Sequence, residues 1–265
     1  MKLRRSLSLL LLAAPVFALD EFQPAEEGVI AVDLNNSFEK PLGLYNLDGE
    51  LVAPQGGPFV WNPSMQLRLG LPNLTEISVV IPMSVRNADA MGAEEGDWGF
   101  GQSSLGFKLG IEDWGVAMVG GVEFPMGSQE MVGDDLRWRF LAGGIAHWEK
   151  KKFKIDGSVV WTATPTDDKG VRRGDEWQFI ARPQYQINSL FLPYLGVIGD
   201  LQLPGKVDEK RSGTVSHLVT LEPGTFLTLN DEWSFRVHAP VTVKGDWPQS
   251  GFAGVYVGAT FNMGP

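Results

Sequence analysis

The sequence contains no cysteine in its 265 residues. Beyond the first 18 residues, no apolar run is long enough to cross a bilayer as a helix. Without cysteine, the protein can be neither a lipoprotein anchored through an acylated cysteine nor a domain held together by disulfides. It nevertheless carries 9 Trp and 15 Phe. Many aromatic residues without long apolar runs favour a β-structure, in which only every second residue needs an apolar surrounding.

The N-terminus has the pattern of a secretory signal peptide. Basic residues precede an apolar stretch from Leu7 to Ala14, and the small residue Ala18 marks a cleavage site. The apolar stretch is far shorter than the roughly 20 residues of a spanning helix, which argues against an uncleaved anchor. We therefore predict a signal peptide over residues 1–18. No linker composition divides the rest, so residues 19–265 are predicted to form one domain.

Apolar and polar residues alternate in runs of about ten residues. Leu105, Phe107 and Leu109 share one parity, whereas Gly106 and Lys108 share the other. Only a β-strand sends successive side chains to opposite faces in this way. The alternation predicts twelve strands, over residues 28–37, 58–70, 74–85, 100–111, 115–125, 136–148, 153–163, 177–187, 190–201, 215–228, 233–244 and 252–263.

The gaps between the predicted strands are alternately long and short. They are tight after the even strands, as at residues 71–73, and mostly long and polar after the odd strands, as at residues 86–99. A soluble β-sandwich has no reason to sort its loops by strand parity, whereas outer-membrane barrels have short periplasmic turns and long extracellular loops. The sequence therefore predicts an all-β fold, a single antiparallel up-and-down transmembrane barrel of about twelve strands. We expect it in the outer membrane of a Gram-negative cell.

Charged residues on the polar parity are expected to face the barrel interior. An Arg or Lys on the lipid face costs about 2 to 4 kcal/mol near the membrane midplane. Leu141 and Ile145 break the pattern, since they share the parity of the charged residues in their strand. The candidate lumen-facing residues are Arg68, Glu76, Lys108, Glu123, Arg137, Arg139, Lys154, Asp156, Arg182, Arg236, His238 and Lys244. We expect no catalytic residue, no metal site and no cofactor.

The net charge of -10 does not predict the sign of the charge in the lumen. The lumen candidates hold more Arg and Lys than Asp and Glu, whereas many acidic residues lie in the long loops. Two interpretations are open. The charges either pair across strands and fill a narrow barrel, which we favour, or leave a positive path for anionic solutes. The acidic loops either keep the surface solvated or bridge through divalent cations to lipopolysaccharide.

Three short motifs lie in the hairpin of the fourth and fifth predicted strands. They are Gly-x-Gly-polar at Gly99–Gln102, Leu-Gly-x-Lys at Leu105–Lys108, and Pro-x-Gly at Pro125–Gly127. In these motifs the chain resembles the outer-membrane barrel family labelled as MetA-pathway phenol-degradation proteins. The resemblance implies a barrel of about a dozen strands that passes small, often aromatic solutes.

Three functions remain open: a passive channel for small aromatic or anionic solutes, a closed barrel with a structural or surface-binding role, and, distantly, a lipid hydrolase. A hydrolase needs a Ser nucleophile and a His base at one rim. Of the three histidines, His147 and His238 point inward by parity, and none begins a His-x-Ser sequence. We therefore expect no enzyme. The expected partners are outer-membrane lipid and lipopolysaccharide, the barrel-assembly machinery and a small-molecule solute, but no nucleic acid.

We predict that the folded protein migrates differently on a detergent gel before and after boiling. A closed barrel keeps its internally bonded wall in cold detergent, whereas the boiled chain unfolds. Identical migration of the two samples would count against a barrel.

Overall fold

The computed structural model describes residues 25–46, 48–52, 60–86, 98–111, 114–127, 137–167, 170–208, 210–246 and 249–264. The predicted signal peptide lies outside these residues. Within these ranges, no helix has the length and apolar character needed to cross a membrane.

The described residues form strands of very different lengths. Their bounds are β1 (Ile30–Tyr45), β2 (Leu51–Val52), β3 (Val60–Leu71), β4 (Thr75–Arg86), β5 (Trp98–Phe100), β6 (Ser104–Ile111), β7 (Val116–Glu123), β8 (Arg139–Lys150), β9 (Phe153–Ala163), β10 (Val171–Arg172), β11 (Glu176–Tyr185), β12 (Phe191–Gln202), β13 (Gly205–Val207), β14 (Lys210–Ser212), β15 (Ser216–Thr228), β16 (Trp233–His238), β17 (Val241–Gly245) and β18 (Ser250–Met263).

Twelve strands form a closed antiparallel wall. Each pairs with its neighbours in the chain, and β18 pairs back to β1 from Ile30 opposite Met263 to Leu44 opposite Ser250. In this count β5 and β6 are two parts of one strand, and so are β16 and β17. The short strands β10, β13 and β14 form a separate sheet in the loops. The predicted twelve-stranded barrel is therefore confirmed.

Three predicted strands differ clearly from those observed. The fourth along the chain, predicted over residues 100–111, is interrupted at residues 101–103. The other two are the first and the eleventh. The first continues to Tyr45 instead of ending at residue 37, because the polar residues Asn36 and Lys40 share the outward parity of Phe38 and hide the alternation. Its register shifts between Pro41 and Gly43. The eleventh, predicted over residues 233–244, is interrupted at Ala239 and Pro240, since proline has no N–H to donate to a ladder.

Loop length separates the two ends of the barrel, as predicted. One end carries turns of two to five residues, such as 72–74 between β3 and β4 and 151–152 between β8 and β9. Asn73 and Lys151 adopt positive φ values of 59° and 60° in these tight turns. The long connections lie at the other end. By the rule for outer-membrane barrels, the short-turn end faces the periplasm and the long-loop end faces the cell exterior.

The outer face of the barrel is apolar and exposed. Leu67 in β3, Val79 in β4 and Val159 in β9 are 41%, 37% and 41% exposed. Aromatic residues lie near the strand ends on this face. Those toward the long loops are Phe38, Trp61, Trp98, Phe100 and Trp138, and those toward the short turns are Trp114, Trp148, Phe153, Tyr185 and Trp233. An apolar band between two aromatic girdles is the surface that lipid solvates.

We predict that Val159→Arg lowers the free energy of unfolding of the barrel in lipid vesicles by about 2 to 4 kcal/mol, because it sets a charge against acyl chains. Val159→Leu is the matched control and should leave the unfolding free energy nearly unchanged. The measurement is a urea titration followed by tryptophan fluorescence. Equal stability of the Arg and Leu variants would show that this face does not contact lipid.

Candidate functional site

The interior of the barrel has an apolar side. Buried apolar side chains from β4, β7, β8 and β9 form one cluster there. Its members are Val80, Ala117, Val119, Leu141, Ile145 and Val160. Leu141 and Ile145, which break the polar parity of their strand, thus face inward and pack with apolar neighbours. Part of this half of the barrel is therefore filled by close-packed side chains.

Two cavities occupy the interior, and most of their lining comes from the strands on the other side. A cavity of about 140 Å³ extends toward the long loops, where Glu39, Glu176 and Gln202 contribute to its wall. A cavity of about 1000 Å³ opens toward the short turns, where Asp33 is part of the wall. Tyr256 in β18 lines both cavities. The Tyr256 side chain therefore lies between the two spaces, at a position here called the constriction.

A group of buried polar side chains, here called the central cluster, surrounds this constriction. Its members are Arg182, Tyr194, Glu222, Arg236, His238 and Tyr256. The Glu222 carboxylate accepts hydrogen bonds from Arg182 Nη2 at 3.2 Å and from Arg236 Nη2 at 3.0 Å. Its other oxygen lies 3.6 Å from His238 Nε2. Glu222 is 0% exposed, so one buried carboxylate neutralises part of the charge of two guanidinium groups.

Aromatic rings complete the central cluster. Arg236 Nε donates to the Tyr194 hydroxyl at 3.0 Å, and that hydroxyl lies 2.7 Å from His238 Nδ1. The Arg182 guanidinium lies 5.2 Å from the centre of the Tyr194 ring. Tyr256 stacks on His238 with ring centres 4.2 Å apart, and its hydroxyl donates to the Asn35 side chain. Cation–π contact and stacking together hold the rings at the constriction.

Glycines on neighbouring strands leave room for these large groups. Gly196 in β12 lies opposite Glu222, and the register of β11 and β12 places Arg182 on its other side. A Cβ at Gly196 would lie 3.1 Å from Glu222 Cβ. A Cβ at Gly224 would lie 2.6 Å from both the Tyr194 ring and His238 Cβ. Larger side chains at these two positions would occupy the space that the side chains of the central cluster need.

Charge pairs also fill the end of the barrel near the long loops. Arg139 donates to Glu123 at 3.0 Å and forms a second, short hydrogen bond with Glu176. Arg137 is half-buried at the rim and pairs with Asp167 at 2.9 Å. Arg173 lies in the loop between β10 and β11. Burial lowers the pKa of its guanidinium, and the Glu176 carboxylate acts in the opposite direction.

A second network lies near the short turns. Arg68 pairs with Asp33 at 2.6 Å and with Glu76 at 3.5 Å, and Lys108 Nζ lies 3.6 Å from Glu76. Glu76 also accepts a hydrogen bond from the backbone N–H of Ala25 at 2.7 Å. These carboxylates therefore hold both wall residues and the chain that leads into β1.

The segment before β1 lies against the inner face at this mouth. A Cβ on Gly70 would lie 1.9 Å from the Glu26 carbonyl oxygen, so only glycine leaves room for the segment to cross here. Gly28 N–H donates to the Gly70 carbonyl at 3.0 Å, and Gly70 N–H donates to the Val29 carbonyl at 3.0 Å. Residues 25–27 contribute to the wall of the larger cavity and narrow its opening.

Histidine and carboxylate groups meet on β8 and β9, also near the short turns. His147 Nδ1 lies 2.6 Å from Asp156, which also accepts a short hydrogen bond from Gln184. Lys154 pairs with Glu149 at 3.1 Å. The structure thus places Lys154 and Asp156, two of the lumen candidates, in a partly exposed network rather than in the central cluster.

The prediction that Lys244 faces the lumen is wrong. In β17, Lys244 lies opposite Val219 while Thr242 lies opposite Thr220, so Val243 is an extra residue in the ladder. Such a bulge shifts the alternation by one residue. Lys244 is therefore exposed like Val243, whereas Thr242 is buried. The other candidates lie at inward-facing positions, Arg137 at the rim.

The sequence prediction missed two acidic residues of the interior, Glu222 and Asp33. Glu222 has the parity of Ser216 and Thr220, but the apolar Leu218 between them obscured which face is polar. Asp33 lies in the first predicted strand, in which no face was assigned. Tyr256 lies between apolar residues of opposite parity, so its inward direction was readable.

Among the residues that the structure describes, no His, Asp and Glu side chains form a group of three or more that could hold a metal ion. His147, His217 and His238 contact Asp156, Asp246 and Tyr194 respectively through Nδ1.

Comparison with known proteins identifies the fold. No family model matches the sequence, and no curated protein matches it. The chain is similar to an outer-membrane channel from Pseudomonas putida F1, with 10% identity, coverage of 92% of this chain and 98% of that chain, and a TM-score of 0.76. This protein has the outer-membrane barrel fold. The barrel is also similar to the translocator domain of the autotransporter NalP from Neisseria meningitidis, with 10% identity, coverage of 92% and 90%, and a TM-score of 0.55.

The outer surface of the barrel supports the same location as the fold. Its exposed apolar band between aromatic girdles needs acyl chains around it, which places the barrel in the outer membrane.

We predict that Glu222→Gln lowers the free energy of unfolding by about 3 to 5 kcal/mol, because two buried guanidinium groups lose their shared carboxylate. Glu149→Gln makes the same chemical change in a side chain that is 40% exposed, and should cost less than about 1 kcal/mol. Both variants are compared by urea titration in lipid vesicles. Equal losses would mean that Glu222 does not hold the central cluster together.

Proposed function

We propose that this protein is a passive outer-membrane channel for small solutes that carry an anionic group, including aromatic ones. The observation that carries this proposal is that two interior cavities, one toward each end of the closed barrel, are separated only at the Tyr256 side chain that lines both. A solute that passes the constriction travels from one cavity to the other within the closed wall. The path runs off-centre, because packed apolar side chains occupy part of the interior.

Charge at the constriction favours an anion. Arg182 and Arg236 both face Glu222, so two guanidinium groups stand against one carboxylate. A carboxylate on the solute adds a second acceptor to this arrangement, since guanidinium groups bind carboxylates in a directional way. Most other interior charges are paired, as at Arg139 and Arg68. We therefore propose a modest preference for anions rather than strong exclusion of cations.

Aromatic surface at the same point favours a solute with a ring. The faces of Tyr194 and Tyr256 and the ring of Phe226 lie beside the Arg236 guanidinium. A flat apolar group can pack on these rings while its carboxylate contacts the Arg236 guanidinium, which lines the larger cavity. The resemblance to the MetA-pathway phenol-degradation family supports the same class of solute. The similar Pseudomonas putida protein, described as a channel, supports passive passage.

The proposal includes the barrel's surroundings. Its lipid partners are the outer-membrane lipids, including lipopolysaccharide, and its insertion uses the barrel-assembly machinery. Transport through a fixed pore involves no chemical step, so the protein acts as a channel and not as an enzyme. A barrel that is closed to solutes is the alternative that the next experiment tests.

We predict that purified protein in a planar bilayer conducts ions, and that Tyr256→Ala conducts severalfold more because it removes the ring that separates the cavities. Tyr185→Ala is the matched control, since Tyr185 is 53% exposed on the outer face. In the same bilayer, the reversal potential across a sodium benzoate gradient should show a modest preference for benzoate over sodium. Silence of both the natural protein and Tyr256→Ala would refute the channel. A reversal potential that favours sodium or neither ion would refute only the preference for anions.

A further inference from the structure

A small cationic sheet, separate from the sheet of the barrel wall, is formed by loops at the long-loop end. It is formed by β10, which belongs to the loop between β9 and β11, and by β13 and β14 in the loop between β12 and β15. Arg172 pairs in register with Lys206, and Lys206 pairs with Arg211. Cross-strand partners point to the same face of a sheet. Arg172, Lys206 and Arg211 therefore form one row, here called the cationic row.

The loops hold this sheet in place against the barrel rim. Asp208 N–H donates to the Gly170 carbonyl at 3.1 Å, and Leu203 N–H donates to the Asp175 carbonyl at 2.8 Å. Asp167 accepts from Val171 N–H at 2.7 Å and pairs with the rim residue Arg137. The position of the cationic row is thus fixed by hydrogen bonds within its loops and to the barrel.

Like charges directly opposite each other destabilise a sheet. Arg172 is offset by Asp175 at 2.8 Å. Among the residues that the structure describes, Lys206 and Arg211 have no ion pair, and both side chains are exposed. Adjacent strands lie about 4.8 Å apart, so the row spans roughly 10 Å. Two neighbouring cations at this spacing can contact one phosphate group from both sides.

We propose that the cationic row binds the phosphate groups of lipopolysaccharide in the outer leaflet. Charge complementarity supports this ligand. The chain as a whole has a net charge of -10, so an attraction to anions has to come from a local group of cations such as this row. None of the three residues lines either interior cavity. The row is therefore outside the proposed solute path, and it projects on the side of the membrane where lipopolysaccharide phosphates surround the barrel.

The test measures binding of purified full-length protein in detergent to bisphosphorylated lipid A and to the same lipid without phosphate. The Lys206→Gln/Arg211→Gln variant should bind bisphosphorylated lipid A about tenfold more weakly than the natural protein. Lys150→Gln/Lys151→Gln removes two exposed charges at the opposite, short-turn end and should leave binding unchanged. Swapping the two cations, in Lys206→Arg/Arg211→Lys, should preserve affinity. Heat-dependent gel migration verifies that every variant is folded.

Three outcomes would overturn the proposal: unchanged affinity in the Lys206→Gln/Arg211→Gln variant, an equal loss in the control, or equal binding of lipid A with and without phosphate. If that variant instead keeps its lipid A affinity but admits benzoate more slowly into vesicles, the row gathers solutes and does not bind lipid. Failure of this test leaves the channel function standing, since the bilayer conductance measures a different part of the molecule.

Discussion

The pairing of β1 with β18 is the contact on which the rest of the structure depends. Acyl chains offer no hydrogen bonds, so a sheet in a membrane must close on itself to satisfy the N–H and C=O groups of its edge strands. The ladder from Ile30 to Leu44 does this along nearly the whole of β1. Once the wall is closed, side-chain alternation alone decides what faces lipid and what faces the interior. The polar interior is thus a consequence of closure.

Closure also creates the electrostatic problem that the interior must solve. Charged residues excluded from the lipid face are brought together in a small space, where an isolated charge would be costly. In the structure, single carboxylates each pair with two cations. Glu222 pairs with two guanidinium groups, and Glu76 pairs with Arg68 and Lys108. Sharing leaves a small excess of positive charge at the constriction. Stability and the proposed preference for anions therefore depend on the same side chains.

The sequence predicted the wall better than the interior. Period-two alternation and loop lengths depend on local residues, which is why strand number, orientation and most strand boundaries could be predicted from the sequence. Pairing partners cannot be read this way, because Arg182 and Glu222 meet only through the register of β11, β12 and β15. Lys244 fails for a related reason, since the bulge at Val243 has no signature in the alternation. The constriction could not be predicted from the sequence, because side chains from several strands form it together.

The apolar cluster within the barrel has a consequence for how such a protein can change. Val80, Leu141 and Val160 stiffen one side of the wall, while the residues that a solute would touch at the constriction belong to β11, β12, β15, β16 and β18. Substitutions on the second set of strands can alter what passes while the packing of the apolar cluster is kept. The apolar cluster and the constriction are formed by different stretches of the chain, so selection can change one while the other is conserved.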